Sequence, residues 1–103
     1  MSRIGIVAAI GLLAAAAVAA ERKPWIPKDG FVPNAQTAIR IAEAVWIPIY
    51  GEKLIEGEKP FRAELNGETW VVRGYMPKGM KGGTAVAEIA KLDGRILRVV
   101  HEQ

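Results

Sequence analysis

Between Pro33 and Gly51 the chain reads PNAQTAIRIAEAVWIPIYG, with apolar positions recurring every three to four residues. Ala38, Ile41, Ala42, Val45 and Ile49 make one stripe, and Ile39, Trp46 and Tyr50 widen it. Gln36, Arg40 and Glu43 mark the polar side. This spacing predicts an amphipathic helix from Ala35 to about Tyr50, roughly 24 Å long at a rise of ~1.5 Å per residue. Asn34 suits the N-cap, because its side-chain oxygen can accept from the N–H of Gln36 or Thr37. Pro48 lacks an N–H and its ring meets the carbonyl of Ala44, so a kink or an end is expected there, with Gly51 as the C-terminal cap.

From Pro60 the period changes to two. Phe61–Leu65 reads as a first strand, and Asn66-Gly67 predicts a type I′ hairpin turn whose central residues both take positive φ. Thr69–Met76 is the return strand, with Trp70, Val72 and Gly74 on one face and Val71, Arg73 and Tyr75 on the other. Pro77–Gly83 (PKGMKGG) is a glycine-rich loop. Thr84–Leu92 is a third strand, alternating Val86, Glu88 and Ala90 against Ala85, Ala87 and Ile89. After the turn at Asp93-Gly94, Arg95–His101 places Leu97 and Val99 on one face and Ile96, Arg98 and Val100 on the other. The bridge from helix to sheet, Gly51–Lys59, is polar except for Leu54 and Ile55, which are expected to anchor a short helical turn. The order of elements gives an α+β class: one main helix packed on a four-stranded antiparallel meander.

The segment ahead of the helix has a different grammar. Pro24, Pro27 and Pro33 favour an extended arm over residues 21–33. Trp25, Ile26, Phe31 and Val32 are too apolar for a free tail, so the arm is expected to lie across the domain and cover Trp46, Ile47 and Tyr50. Either Phe31 or Val32 can staple the first helical turn. Residues 1–20 carry Arg3, an unbroken apolar run from Ile4 and small residues before Glu21, the layout of a secretory signal peptide. Cleavage is expected after Ala20, with a retained membrane anchor as the alternative. The resulting division is a leader (1–20), a proline-rich arm (21–33) and a single domain (34–103), in a periplasmic or secreted protein.

Composition narrows the class. With 103 residues there is room for one small domain. Fourteen basic and 11 acidic side chains give a net charge of +3, part of it Arg3 in the leader. So slight an excess predicts neither a nucleic-acid binder nor a membrane-attracted surface, and membrane contact is expected only through an uncleaved leader. The chain has no cysteine, so neither disulfides nor a lipid-modified cysteine is available.

No catalytic set emerges. The lone histidine, His101, reads as an exposed strand residue, and without cysteine or a second histidine no metal site is expected. No cofactor is implied. Glu64, Glu68 and Glu88 fall in the strand region; one reading turns Glu88 toward a concave interior, but a cross-strand ion pair with Arg73 or Arg98 is the favoured one. The Pro77–Gly83 loop lacks phosphate-loop spacing and joins two strands rather than a strand and a helix. It suits a protein contact better: Met80 at its tip is adaptable and apolar, Lys78 and Lys81 flank it, and Tyr75 stands at its base. These four are the candidate partner-binding residues.

Several blocks together resemble a known family. VPN-x-x-TAI-x-IAEA at the helix start, PIYGE-x-x-I, KPF-x-AEL, W-x-V-x-G, PKG-x-x-GG and the closing DG-x-I occur in that order from Gly30 to His101. They resemble the bacterial immunity proteins with a nuclear-transport-factor-2-like fold, found in polymorphic toxin systems. The last block alone also resembles peptidase-propeptide modules. The resemblance implies a cone-shaped helix-and-curved-sheet domain (nuclear-transport-factor-2-like or cystatin-like) that neutralises a toxin by stoichiometric, non-catalytic binding. Enzymatic relatives on that fold carry a pocket acid with a hydrogen-bonding partner, a pair that His101 and the glutamates do not reproduce as surface groups. The alternatives are a small-molecule-binding or enzymatic cone domain with a pocket between helix and sheet, and a propeptide-like inhibitor.

Overall fold

The structure is a computed structural model and describes residues 25–102. The expected leader, the expected cleavage point and the first residues of the arm lie outside that range. The main helix, α1 (Ala35–Tyr50), begins as its sequence requires: Asn34 Oδ1 accepts from the Thr37 N–H at 2.9 Å. It ends at Gly51, whose φ of 94° no β-carbon-bearing residue adopts easily and whose N–H reaches Ile47 O at 2.8 Å. Pro48 does not terminate the helix. Pro48 and Ala44 both lie on the exposed side, where water can serve the carbonyl that the proline leaves unpaired.

The buried stripe of α1 is Ala38, Ala42 and Trp46, flanked by half-buried Ile39, Ile41 and Val45. This corrects the predicted stripe: Ile49 is 57% exposed, and Trp46 stands at the centre of the buried face. The small pair on the helix meets small residues on the sheet, since Ala85 and Ala87 are also completely buried. Alanine on both sides brings the helix axis close to the sheet, and Trp46 fills the wider space beyond, edge-on to Phe61 with ring centroids 5.4 Å apart. A five-residue helix, α2 (Glu52–Glu56), follows and buries Ile55. Its neighbour Leu54, expected to anchor beside it, is half exposed.

Four strands follow in the order β1-β2-β3-β4, each antiparallel to the next: β1 (Arg62–Asn66), β2 (Thr69–Arg73), β3 (Ala85–Ala90) and β4 (Ile96–His101). This is the predicted meander, with β1 shifted one residue along, β2 to β4 trimmed at their ends, and a register shift between Glu88 and Ile89 that pairs Ile96 with Ile89 instead of leaving it on the Arg98 face. Trp70, Val72, Ala85, Ala87, Ile89 and Val99 face the helix. The first hairpin differs from expectation. Asn66 pairs with Thr69, so the loop residues are Gly67 and Glu68, and only Gly67 takes positive φ, at 63°. Glycine at the first central position with an ordinary residue after it marks a type II′ turn, with Asn66 left in the ladder.

The arm is tied down elsewhere than predicted. Phe31 N–H donates to Leu92 O at 2.9 Å, Val32 N–H to Lys91 O at 3.0 Å, and Trp70 Nε1 to Val32 O at 2.7 Å. The arm therefore lies against the end of β3, at the N-terminal end of α1, and sends Val32 into the core. Trp46 is covered by Phe61 and the sheet, and Tyr50 packs against His101, at the opposite end from the arm. Trp25 and Phe31 meet edge to face on the outside, and both remain largely exposed.

Candidate functional site

At the C-terminal end of α1 an open cleft of about 880 Å³ separates two walls. One wall is the corner from Tyr50 through α2 to Glu58. The other is the β2–β3 loop from Tyr75 to Gly83, and His101 at the end of β4 completes the lining. One residue of the α2–β1 connection ties the cleft's borders together. Glu58 is only 8% exposed and holds three segments at once. Its backbone carbonyl accepts from Tyr75 N–H at 2.6 Å, its Oε1 accepts from Ala85 N–H at 2.7 Å, and its Oε2 lies 2.9 Å from His101 Nε2.

Tyr75 and Ala85 bracket the glycine-rich loop, so Glu58 clamps both of its ends. It also explains why β2 stops at Arg73 instead of running to Met76: the next strand-like donor, Tyr75 N–H, is diverted to Glu58. Gly74 is the one place where backbone must yield space to that side chain, because a β-carbon there would sit 2.9 Å from Glu58 Cβ. A carboxylate that accepts from Ala85 at one oxygen and faces an imidazole at the other makes Nε2 the donating nitrogen. Nδ1 of His101 has no partner among the described residues. The Tyr50 ring stands edge-on to the imidazole, centroids 5.4 Å apart, and fixes its plane.

Three of the four sequence-nominated residues meet here. Tyr75, Met80 and Lys81 line the cleft, and Tyr75 and Met80 are 46% and 63% exposed. Lys78 is on the same loop but outside the lining. Sequence reading missed Tyr50, Leu54, Glu58 and His101. His101 is half-buried rather than solvent-exposed, and it supplies with Glu58 the carboxylate–imidazole pair that the glutamates were expected to lack. A signal for it existed: alternation along β4 puts His101 on the same face as Val99. Glu58 had none, sitting in the polar run GEKLIEGEK.

Glu88 lies away from the cleft, on the outer face of the sheet, where its Oε2 pairs with Arg98 Nη1 at 3.2 Å as the favoured reading expected. That face is a lattice of matched charges around buried Val86: Arg62 with Glu64, Arg73 with Glu102, Arg98 with Glu88. At the foot of α1, Lys59 lies 3.0 Å from Glu56 and 3.6 Å from Glu43. Its hydrogen bond to Glu56, aided by both carboxylate charges, holds its ammonium above the usual lysine range. Among the described residues no group of three or more His, Cys, Asp or Glu side chains is placed to hold a metal. No helix among them is long and apolar enough to cross a membrane.

The family model described as NTF2 fold immunity protein matches residues 37–103, which takes in the body of the helix, the sheet and every element of the cleft. The chain belongs to this immunity-protein family. Two relatives from Escherichia coli strain K12, both described as uncharacterized proteins, are similar to it. YbbC is 36% identical over 73 residues, covering 70% of this chain and 60% of its own length. YhhH is 37% identical over 71 residues, covering 68% and 56%. The immunity-family chain thus spans somewhat more than half the length of these relatives. No solved structure matches it.

Proposed function

We propose that this immunity-family protein neutralises a protein toxin by stoichiometric, non-catalytic binding, and that the cleft wall formed by the Tyr75–Gly83 loop is its contact face. The observation that carries this reading is the gathering of half-exposed Leu54, Tyr75 and Met80 around one opening, whereas the outer face of the sheet presents paired charges. Exposed apolar side chains concentrated in one place mark contact surfaces. A loop clamped at both ends by Glu58 offers them with little loss of entropy on binding. The leader expected over residues 1–20 would place the encounter in the periplasm or outside the cell.

The test is protection. Cells producing a candidate toxin of the same organism, directed to the envelope, should survive when the full chain is co-produced. The Met80→Ala, Lys81→Glu variant should protect much less at equal abundance. Survival that does not depend on the chain, for every candidate, counts against the proposal. A second reading, a small-molecule-binding cone domain, draws on the same cleft and its Glu58–His101 pair. It predicts a bound compound in protein purified from its own host and no effect of the chain on any toxin.

A further inference from the structure

The cleft has a chemistry that restricts what can enter it. Its apolar lining comes from Tyr50, Leu54, Tyr75, Met76 and Met80, side chains on both walls facing one opening. Its rim is basic. Lys53 lies on the α2 wall and Lys81 on the loop wall, with Lys78 nearby, and none of the three has an ion-pair partner among the described residues. The arginines of the outer sheet face, by contrast, each have a carboxylate within 3.3 Å. Of the two carboxylates in the lining, Glu58 keeps its charge but is buried below the rim against Ala85 and His101, which leaves Glu52 as the lining's exposed carboxylate beside the lysines. Unpaired positive charge is therefore kept at the mouth of an apolar slot and neutralised on the neighbouring face.

We propose that the cleft takes an acidic segment of a partner protein, one that inserts an aromatic side chain between Leu54 and Met80 and sets flanking carboxylates against Lys53 and Lys81. This rests on the binding-protein reading above and names the partner's chemistry. The thioethers of Met76 and Met80 adapt to a ring and make favourable contact with it. The lysines stand on opposite walls, so carboxylates on both sides of the inserted residue can be met at once. Such rim pairs favour encounter and orientation more than affinity. The floor selects further: Nδ1 of His101, oriented by Glu58, gives the ring's polar end a hydrogen-bonding group when the inserted residue is tryptophan or tyrosine.

The experiment is an NMR titration of the isotope-labelled full chain with three acetylated, amidated pentapeptides. The first is Glu-Asp-Trp-Asp-Glu, the second replaces tryptophan by alanine, and the third replaces the four acids by lysine and arginine. The acidic tryptophan peptide should shift resonances of Leu54, Tyr75, Met80 and His101 and bind about fivefold or more tighter than either control: two exposed ion pairs are each worth up to roughly fivefold against the basic peptide, and burial of the ring supplies the difference against the alanine peptide. The Lys53→Glu, Lys81→Glu variant should reverse the charge preference while its spectrum stays folded. Equal binding of the basic peptide, shifts confined to the outer sheet face, or no binding by the acidic peptide would each overturn the proposal. Binding of an uncharged aromatic molecule as tightly as the acidic peptide would overturn it in favour of a small ligand. The two readings fail separately: if the charge-reversed chain still protects cells, toxin neutralisation stands and the cleft is not its acidic-segment site. If the peptide binds but no toxin is neutralised, the cleft chemistry stands and the immunity role fails.

Discussion

Glu58→Ala should cost about 1–3 kcal/mol, because it strands the Ala85 N–H and the His101 imidazole in a part-buried place. Glu58→Gln should cost much less. The amide oxygen can take Ala85 N–H, its NH₂ can donate to Nε2, and the imidazole accommodates this by carrying its proton on Nδ1. Urea unfolding of both variants separates the two, and nitrogen chemical shifts of His101 report the tautomer change. A similar loss for Gln and Ala would mean that negative charge, rather than hydrogen-bond geometry, holds the clamp. Such a clamp is invisible to pattern reading, because residues 58, 75, 85 and 101 are separated by turns and loops. Glu58 follows a glycine in a charged stretch and looks like solvent-facing polarity. What alternation could have supplied was His101, whose parity with Val99 turns it inward. The loop residues Tyr75, Met80 and Lys81 were legible because exposure of an apolar tip between lysines is a local property.

At the scale of elements, the arm is held by two side-chain hydrogen bonds, from Trp70 to Val32 O and from Lys91 to Asp29 O, and by two backbone ones. Trp70→Phe keeps the ring in the core and removes the 2.7 Å bond to Val32 O. The expected loss is about 1 kcal/mol from the bond, added to the cost of the void left by the smaller ring, and it is accompanied by faster amide exchange at Phe31 and Val32. Unchanged exchange there would show that Val32 packing alone fixes the arm. The helix, the four strands and their order followed from period and turn signals. The arm's destination did not, since an extended segment rich in proline has no periodicity to aim it. The hairpin register also escaped, because Asn66-Gly67 and Gly67-Glu68 both provide a glycine for the turn, and only the pairing of Leu65 with Trp70 decides between them. A second element-level contact carries a pH signature. The folded pKa of Lys59 is raised above its ordinary 10.5, so its stabilising pairing with Glu56 and Glu43 is fully present below that value and is lost as pH climbs through the raised one. The urea midpoint difference between wild type and Lys59→Met should stay constant across neutral pH and close only as pH rises through the raised lysine value. A difference that already shrinks between about pH 6 and pH 8 would place its origin in another group.

At the scale of the whole molecule, the fold separates what stabilises it from what it offers. The core, built on Trp46, Trp70, Val72 and Ile89, closes the helix onto one face of the sheet, and the other face is sealed by paired charges over Val86. The cleft at the end of α1 gathers exposed Leu54, Tyr75 and Met80 beside lysines without ion pairs among the described residues, so substitutions at Met80 and Lys81 should leave unfolding midpoints nearly unchanged, as surface changes away from buried networks do. This separation makes the proposed mode of neutralisation measurable. A binding protein removes toxin one for one: residual toxin activity, titrated with the chain well above the dissociation constant, should fall along a straight line and reach zero at a fixed whole-number ratio, independent of incubation time. A carboxylate–imidazole pair acting chemically would instead let a small fraction of the chain abolish all activity, progressively with time. The titration distinguishes the two with the same reagents, and replacement of His101 by Gln sharpens it. Under binding, H101Q shifts the affinity and leaves the equivalence point in place; under catalysis, it slows or stops the time-dependent loss. A time-dependent, substoichiometric endpoint that H101Q abolishes would replace occlusion by chemistry at the Glu58–His101 pair.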